Sequence, residues 1–272
     1  MTAPFGPALL FCPADRPDRY DKAAQRSDTV VLDLEDAVAP AGKAAARDAV
    51  AAALPRLGPG AFVRVNAADT PWFADDVAVL RDAGHPRVVL PKATAADDLD
   101  ALDGFQVLAI CETAAGVLHA PGIAEHPACA AIMWGGEDLI ADLGGRRSRD
   151  ARGRYYPVVE HARLTVLIAA AAAGRAAVDS VHIDIGDLDG LARETTEAVD
   201  LGFAAKTCIH PSHVPVIREA FRPTEEMLAW ARGVAAAAES AGGVFRHQGR
   251  MIDEPLLRQA RATLARAGDA PS

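Results

Sequence analysis

Charged residues stand at the ends of several apolar runs in this chain, and their types suit metal and carboxylate chemistry. The run ending at Cys111 is followed by Glu112, where an unpaired buried charge would be costly unless the strand end has reached water. The apolar run at 29–32 leads into Asp33, Glu35 and Asp36. The next carries Arg64 and Asn66, and another ends in Pro91 and Lys92. Glu137 and Asp138 close a sixth run, and His210 an eighth. If Glu112 and Asp138 lie on adjacent strands, their carboxylates converge. Two hard oxygen donors, with room left for water and substrate oxygens, suit Mg²⁺ or Mn²⁺. Asp138 has a structural alternative as a helix N-cap, and Glu137 competes for the ligand role. Arg64 in the same cavity offers a fork for a substrate carboxylate, or else it neutralises Glu35 or Asp36. Both roles are compatible if the acids orient the guanidinium. Arg16, Arg19 and Lys22 surround the first strand exit and the following helix start, a setting that suits a phosphate.

These residues need elements to position them. Short apolar segments at 8–13, 29–36, 61–67, 87–92, 106–112, 130–138, 180–185 and 204–210 read as strands. Helix-like stretches separate them, including an Ala-rich apolar block at 164–174. Strands alternating with helices imply parallel pairing through crossovers. Eight such units point to an α/β fold, a (β/α)₈ TIM barrel, with a doubly wound open sheet as the alternative. No glycine-rich dinucleotide motif follows the first strand. Barrel chemistry sits at the C-terminal strand ends, where the charged residues cluster. The expected division is a catalytic barrel over 1–221 and a C-terminal helical extension over 222–272 without strands.

Composition bounds the function. The 272 residues carry a net charge of −9, which opposes broad nucleic-acid or membrane-surface binding. The first residues lack a basic n-region and the apolar run stops at Pro13, so neither a signal peptide nor a membrane span is expected. Cys12, Cys111, Cys129 and Cys208 have no metal-type spacing and read as buried thiols of a cytoplasmic protein.

The stretches "LLFCPADRPDRYDKA", "VVLDLEDAVAPAGKAAAR", "VRVNAADTPWF", "VVLPKA", "ICETAAGV", "MWGGEDLIADLGG", "DIGDLDGLARE", "GFAAKTCIHPSHVPVIREAF" and "GRMID" occur in this order from residue 9 to residue 253. As an ordered set they resemble the citrate lyase β-subunit-like family of acyl-CoA carbon–carbon lyases, which includes malyl-CoA and citramalyl-CoA lyases. The resemblance implies the barrel with its helical extension, assembled as a homotrimer with the extension on a neighbouring subunit. It implies Mg²⁺ on Glu112 and Asp138 and a keto-acid carboxylate on Arg64; Glu35 and Asp36, from the second strand end, join Arg64 among the catalytic candidates. It further implies that Phe11, Arg16 and Lys22 face coenzyme A. Asp253 matches an aspartate that reaches a neighbour's active site, although an N-cap role at its helix start is equally open. The chain departs from the family at "CPADRP", where many relatives have a glycine-containing turn, and it lacks the longer C-terminal elaborations of malate-synthase-like relatives.

These features lead to the expectation of a lyase that cleaves a 3-hydroxyacyl-CoA into acetyl-CoA and a 2-keto acid. Three alternatives remain. They are the β-subunit of a multi-component citrate lyase acting on carrier-bound citryl groups, a non-catalytic acyl-CoA-binding barrel, and an aldolase for free keto acids.

Overall fold

The computed structural model describes residues 5–240 and 243–268. Eight parallel strands close into a barrel in which β1 pairs with both β2 and β8. They are β1 (Ala8–Pro13), β2 (Thr29–Asp33), β3 (Phe62–Arg64), β4 (Arg87–Leu90), β5 (Gln106–Cys111), β6 (Cys129–Trp134), β7 (Ala176–Asp179) and β8 (Ala205–Cys208). Helices α1 (Tyr20–Arg26), α2 (Lys43–Leu57), α3 (Phe73–Asp82), α4 (Ala114–Glu125), α5 (Gly136–Asp142), α6 (Pro157–Ala172) and α7 (Leu188–Leu201) lie between strands. A 3₁₀ stretch, Ala96–Leu102, joins β4 to β5. Helices α8 (His213–Phe221), α9 (Glu225–Ser240) and α10 (Glu254–Arg266) follow the barrel.

Side-chain alternation decides which residues meet in the barrel. Leu9, Val31, Phe62, Val89, Leu108, Ile110, Ala131, Met133, Val178 and Ala205 form one buried cluster. Stepping by two from these residues toward the C-terminal strand ends reaches Phe11, Asp33, Arg64, Glu112, Gly135, Ser180 and Ile209. The inward face is therefore apolar at depth and charged at the rim. The other face meets the helices. It carries Asp179 and Lys206, which are paired in register across β7 and β8 and fully buried.

The chain divides into two compact units, the first ending at Ile217 and the second starting at Arg218, inside α8. Two expectations are corrected. The seventh strand is Ala176–Asp179, not residues 180–185, and Ile183 and Ile185 on that segment are exposed. Weak β-formers made the true strand look like the tail of the preceding helix. The C-terminal unit is not strandless, because β9 (Phe245–His247) and β10 (Arg250–Ile252) pair antiparallel. Their two-residue loop, Gln248–Gly249, has positive φ at both positions, 47° and 79°. That is the hairpin-type turn, with glutamine where asparagine would have signalled it. In this unit Leu228, Ala231, Val234, Ile252, Ala260 and Leu264 form a small core.

Candidate active site

A cavity of about 290 Å³ opens at the C-terminal strand ends. It is lined by Asp33, Asp36, Arg64, Glu112, Glu137 and Asp138, against an apolar wall that includes Phe11, Ile110, Met133 and Ile209. Arg64 is mostly buried, 13% exposed, among acids. Its Nε and Nη2 donate to the two oxygens of Asp33, each at 2.7 Å, and its Nη1 lies 2.9 Å from Glu35 Oε2. The Phe11 ring stacks beneath the guanidinium at 4.8 Å. Burial alone would lower its pKa, but bonding to Asp33 and its charge override this, so Arg64 stays charged.

Glu112 is 4% exposed. Its Oε1 accepts the Lys92 N–H at 3.0 Å. Its Oε2 lies against Gly135, where an added Cβ would come within 2.5 Å of that oxygen. Burial pushes Glu112 up to about 8, and the nearby charges of Asp138 and Glu35 push the same way. Asp138 stands in the first turn of α5, whose N-cap is Gly135 and has no side-chain capping bond, so the N-cap alternative for Asp138 is not what the fold uses. Glu137 lines the same cavity but accepts a bond from the Ser148 hydroxyl.

Lys92 links these acids. Its ammonium bonds Glu35 Oε1 and lies 3.4 Å from Asp138 Oδ1 and 3.7 Å from Asp36 Oδ2. Glu35 thus faces Lys92 through one oxygen and Arg64 through the other, which makes it an organiser of cations. Asp36 is the looser group, with its side chain 63% exposed. Beneath them the buried Lys43 donates to the carbonyls of Leu34 and Glu35, each at 2.7 Å, and to Asn66 Oδ1 at 2.6 Å. Asn66 is fixed in turn by Asp76. This chain pins the acidic loop after β2.

The donor set fits a small divalent cation. Among the described residues no group of three or more His, Cys, Asp or Glu is placed to hold a metal. Glu112 and Asp138 instead offer two carboxylates in a cavity with space for further oxygen ligands.

A second cavity, about 420 Å³, adjoins the first and shares Phe11, Pro13 and Ile209 with it. Its charged and titratable lining is Arg19, Lys22, Arg26, Asp18 and His210. Lys22 lines this second cavity, and Phe11 lines both. Arg16 lines neither, because its exposed fork is taken by Asp18 at 2.9–3.0 Å. Asp253 caps α10, with Oδ1 accepting the Leu256 N–H at 3.3 Å. The sequence had offered Glu35 and Asp36 as partners of Arg64. The fold adds Asp33 as its two-point partner, and it adds Lys92 and Lys43 as organisers. Lys92 stood visibly at a strand end, but no spacing marks Lys43.

Comparison with known proteins follows the same lines. A family model described as HpcH/HpaI aldolase/citrate lyase matches residues 8–211. A citrate lyase subunit beta-like protein of Mycobacterium tuberculosis is 48% identical over 267 residues, covering 98% of this chain and 97% of that protein. A (3S)-malyl-CoA thioesterase of Cereibacter sphaeroides is 33% identical over 272 residues, covering 96% and 94% respectively. The crystal structure of CitE from Mycobacterium tuberculosis in complex with magnesium, acetoacetate and coenzyme A matches with a TM-score of 0.92 at 48% identity. The match covers 97% of this chain and 99% of that one.

Proposed function

The chain belongs to the HpcH/HpaI aldolase/citrate lyase family, and from that premise we propose that it is a magnesium-dependent carbon–carbon lyase. In this reading it cleaves a 3-hydroxyacyl-CoA into acetyl-CoA and a 2-keto acid. The observation that carries the proposal is the convergence of Glu112, Asp138 and Arg64 on one cavity from separate strand ends. Bound by Glu112 and Asp138, Mg²⁺, or Mn²⁺ in its place, would act as a Lewis acid on the substrate's hydroxyl and carboxylate oxygens.

The chain's own residues supply the rest. Asp33 and Glu35 together use only part of the Arg64 fork, and the N–H groups left on Nη1 and Nη2 bind the carboxylate that ends in the keto acid. Asp33, Glu35 and Phe11 fix that fork before substrate arrives. Asp36, exposed in the cavity and loosely tied, takes the hydroxyl proton. The carbon–carbon bond then breaks, its electron pair passing to the thioester fragment as an enolate while the hydroxyl carbon becomes the carbonyl of the keto acid. Protonation of the enolate carbon gives acetyl-CoA, and Asp253 of a neighbouring copy in a homotrimer is the candidate acid. The cationic second cavity with Lys22 and Arg19 suits the coenzyme's phosphates. No described helix is long and apolar enough to cross a membrane. Four buried free thiols support a cytoplasmic setting.

A second reading is favoured by the thioesterase relative: hydrolysis of a malyl-type thioester. Product analysis on a panel of 3-hydroxyacyl-CoA thioesters separates the two. Acetyl-CoA plus keto acid supports the lyase, whereas free coenzyme A plus hydroxy acid supports hydrolysis. Turnover only of acyl-carrier-bound citryl, in the presence of partner subunits, would place the chain as a citrate lyase β-subunit instead. Metal-dependent turnover that survived Glu112→Ala would sink the metal assignment.

A further inference from the structure

Lys92 stands where the side-chain alternation of β4 ends, and its backbone is left-handed, with φ of 50°. An L residue with a long side chain holds that conformation only where its surroundings enforce it, and such positions gather at functional sites. Here both ends of the residue are held. The N–H donates to Glu112 Oε1 at 3.0 Å, and the ammonium reaches back to Glu35, Asp36 and Asp138. One residue therefore touches both carboxylates assigned to the metal, Glu112 through its main chain and Asp138 through its side chain.

The charge distribution gives this arrangement a purpose. Asp33, Asp36, Glu112, Glu137 and Asp138 line one cavity, and close like charges repel. Arg64 faces Asp33 and Glu35, so Asp138 depends on the Lys92 ammonium for a compensating cation. At 3.4 Å that contact is looser than the direct bond to Glu35, which gives the ammonium a second seat if it leaves Asp138. A small divalent cation and an ammonium compete for the same carboxylate.

Resting on the metal reading above, we propose that Lys92 is a positioning residue and a displaceable counter-cation. Its amide sets the Glu112 carboxylate with Oε2 left over. Its ammonium holds Asp138 until the divalent ion takes that oxygen, then stays on Glu35 and Asp36. The device keeps the two ligands apart and oriented before metal arrives, at the cost of weakening the metal's hold.

The test is Mn²⁺ and Mg²⁺ binding to the full chain without substrate, by titration calorimetry, in wild type and in Lys92→Met, Lys92→Arg and Lys92→Gly. Lys92→Gly keeps the N–H and accepts positive φ without strain, so it removes the ammonium while preserving the backbone bond even if Lys92→Met folds poorly. Removing the competing charge should tighten Mn²⁺ binding roughly tenfold in Lys92→Met and Lys92→Gly, and Lys92→Arg should return it toward wild type. Unchanged or weaker Mn²⁺ binding in Lys92→Gly overturns the proposal. If wild type itself binds neither metal, the metal-dependent function fails first and the proposal falls with it.

Discussion

Asp179 and Glu112 are both buried carboxylates of the barrel wall, and the fold treats them in opposite ways. Asp179, on the face toward the helices, accepts from Trp134 Nε1 at 2.9 Å, Arg163 Nε at 3.2 Å and Lys206 Nζ at 2.8 Å. Burial favours its neutral form, but Lys206 and Arg163 overcome that and hold its pKa below the ordinary carboxylate value. Glu112, on the inward face, accepts one neutral N–H, and burial first, then the neighbouring Asp138 and Glu35, raises its pKa. A buried charge that is fully matched is a structural joint. A buried carboxylate left under-compensated beside an open cavity is a candidate functional group.

Breaking each carboxylate sharpens this contrast. Glu112→Gln should lower kcat/KM for metal-dependent cleavage by about a thousandfold or more, read by steady-state assay at saturating Mg²⁺. Asp179→Asn should instead cost about 3–5 kcal/mol in urea unfolding, because Lys206 and Arg163 lose a contact partner in the interior. Large stability loss in Glu112→Gln, or none in Asp179→Asn, would collapse the distinction.

The same pair should show opposite pH slopes in chelator-treated protein. Asp179, with its folded pKa lowered, stabilises above the unfolded carboxylate range, and that contribution is lost as acid protonates it. Glu112, with its folded pKa raised from 4.5 to about 8, makes the metal-free protein lose stability as pH climbs through that window. Melting temperatures between pH 5 and pH 8 should therefore fall less in Glu112→Gln than in wild type.

Smaller effects belong to the groups around the ligands. Gly135→Ala would place a methyl 2.5 Å from Glu112 Oε2. It should weaken Mn²⁺ binding about tenfold, since displacing a ligand's support has that order of effect. Lys22→Ala or Arg19→Ala should raise KM for the CoA thioester about two- to fivefold with kcat kept, as exposed charge contacts contribute modestly. Arg16 lines neither cavity and is tied to Asp18, so Arg16→Ala should change KM least.

Much of the site was legible in the linear order of residues. Strand alternation carries apolar character to Leu108 and Ile110 and then sets Glu112 on the same face. The same rule places Arg64 after Phe62 and Asp33 after Val31. Barrel logic then says that such residues meet at one rim. The seventh strand was misplaced because alternation in 180–185 outshone four small residues that pair in the sheet.

By itself, then, the sequence determined the repeating strand–helix units, the family and the identity of the charged rim, because these depend on local periodicity and motif order. Tertiary structure decided the pairings. Asp33 rather than Asp36 grips Arg64, because the register of β2 against β3 sets Asp33 opposite it. Lys206 neutralises Asp179 because β7 and β8 lie side by side in that register. Lys92 reaches both Glu112 and Asp138 because a left-handed turn after β4 redirects its amide and side chain together. Register between strands and a single backbone reversal are properties of the closed barrel, and no local spacing encodes them.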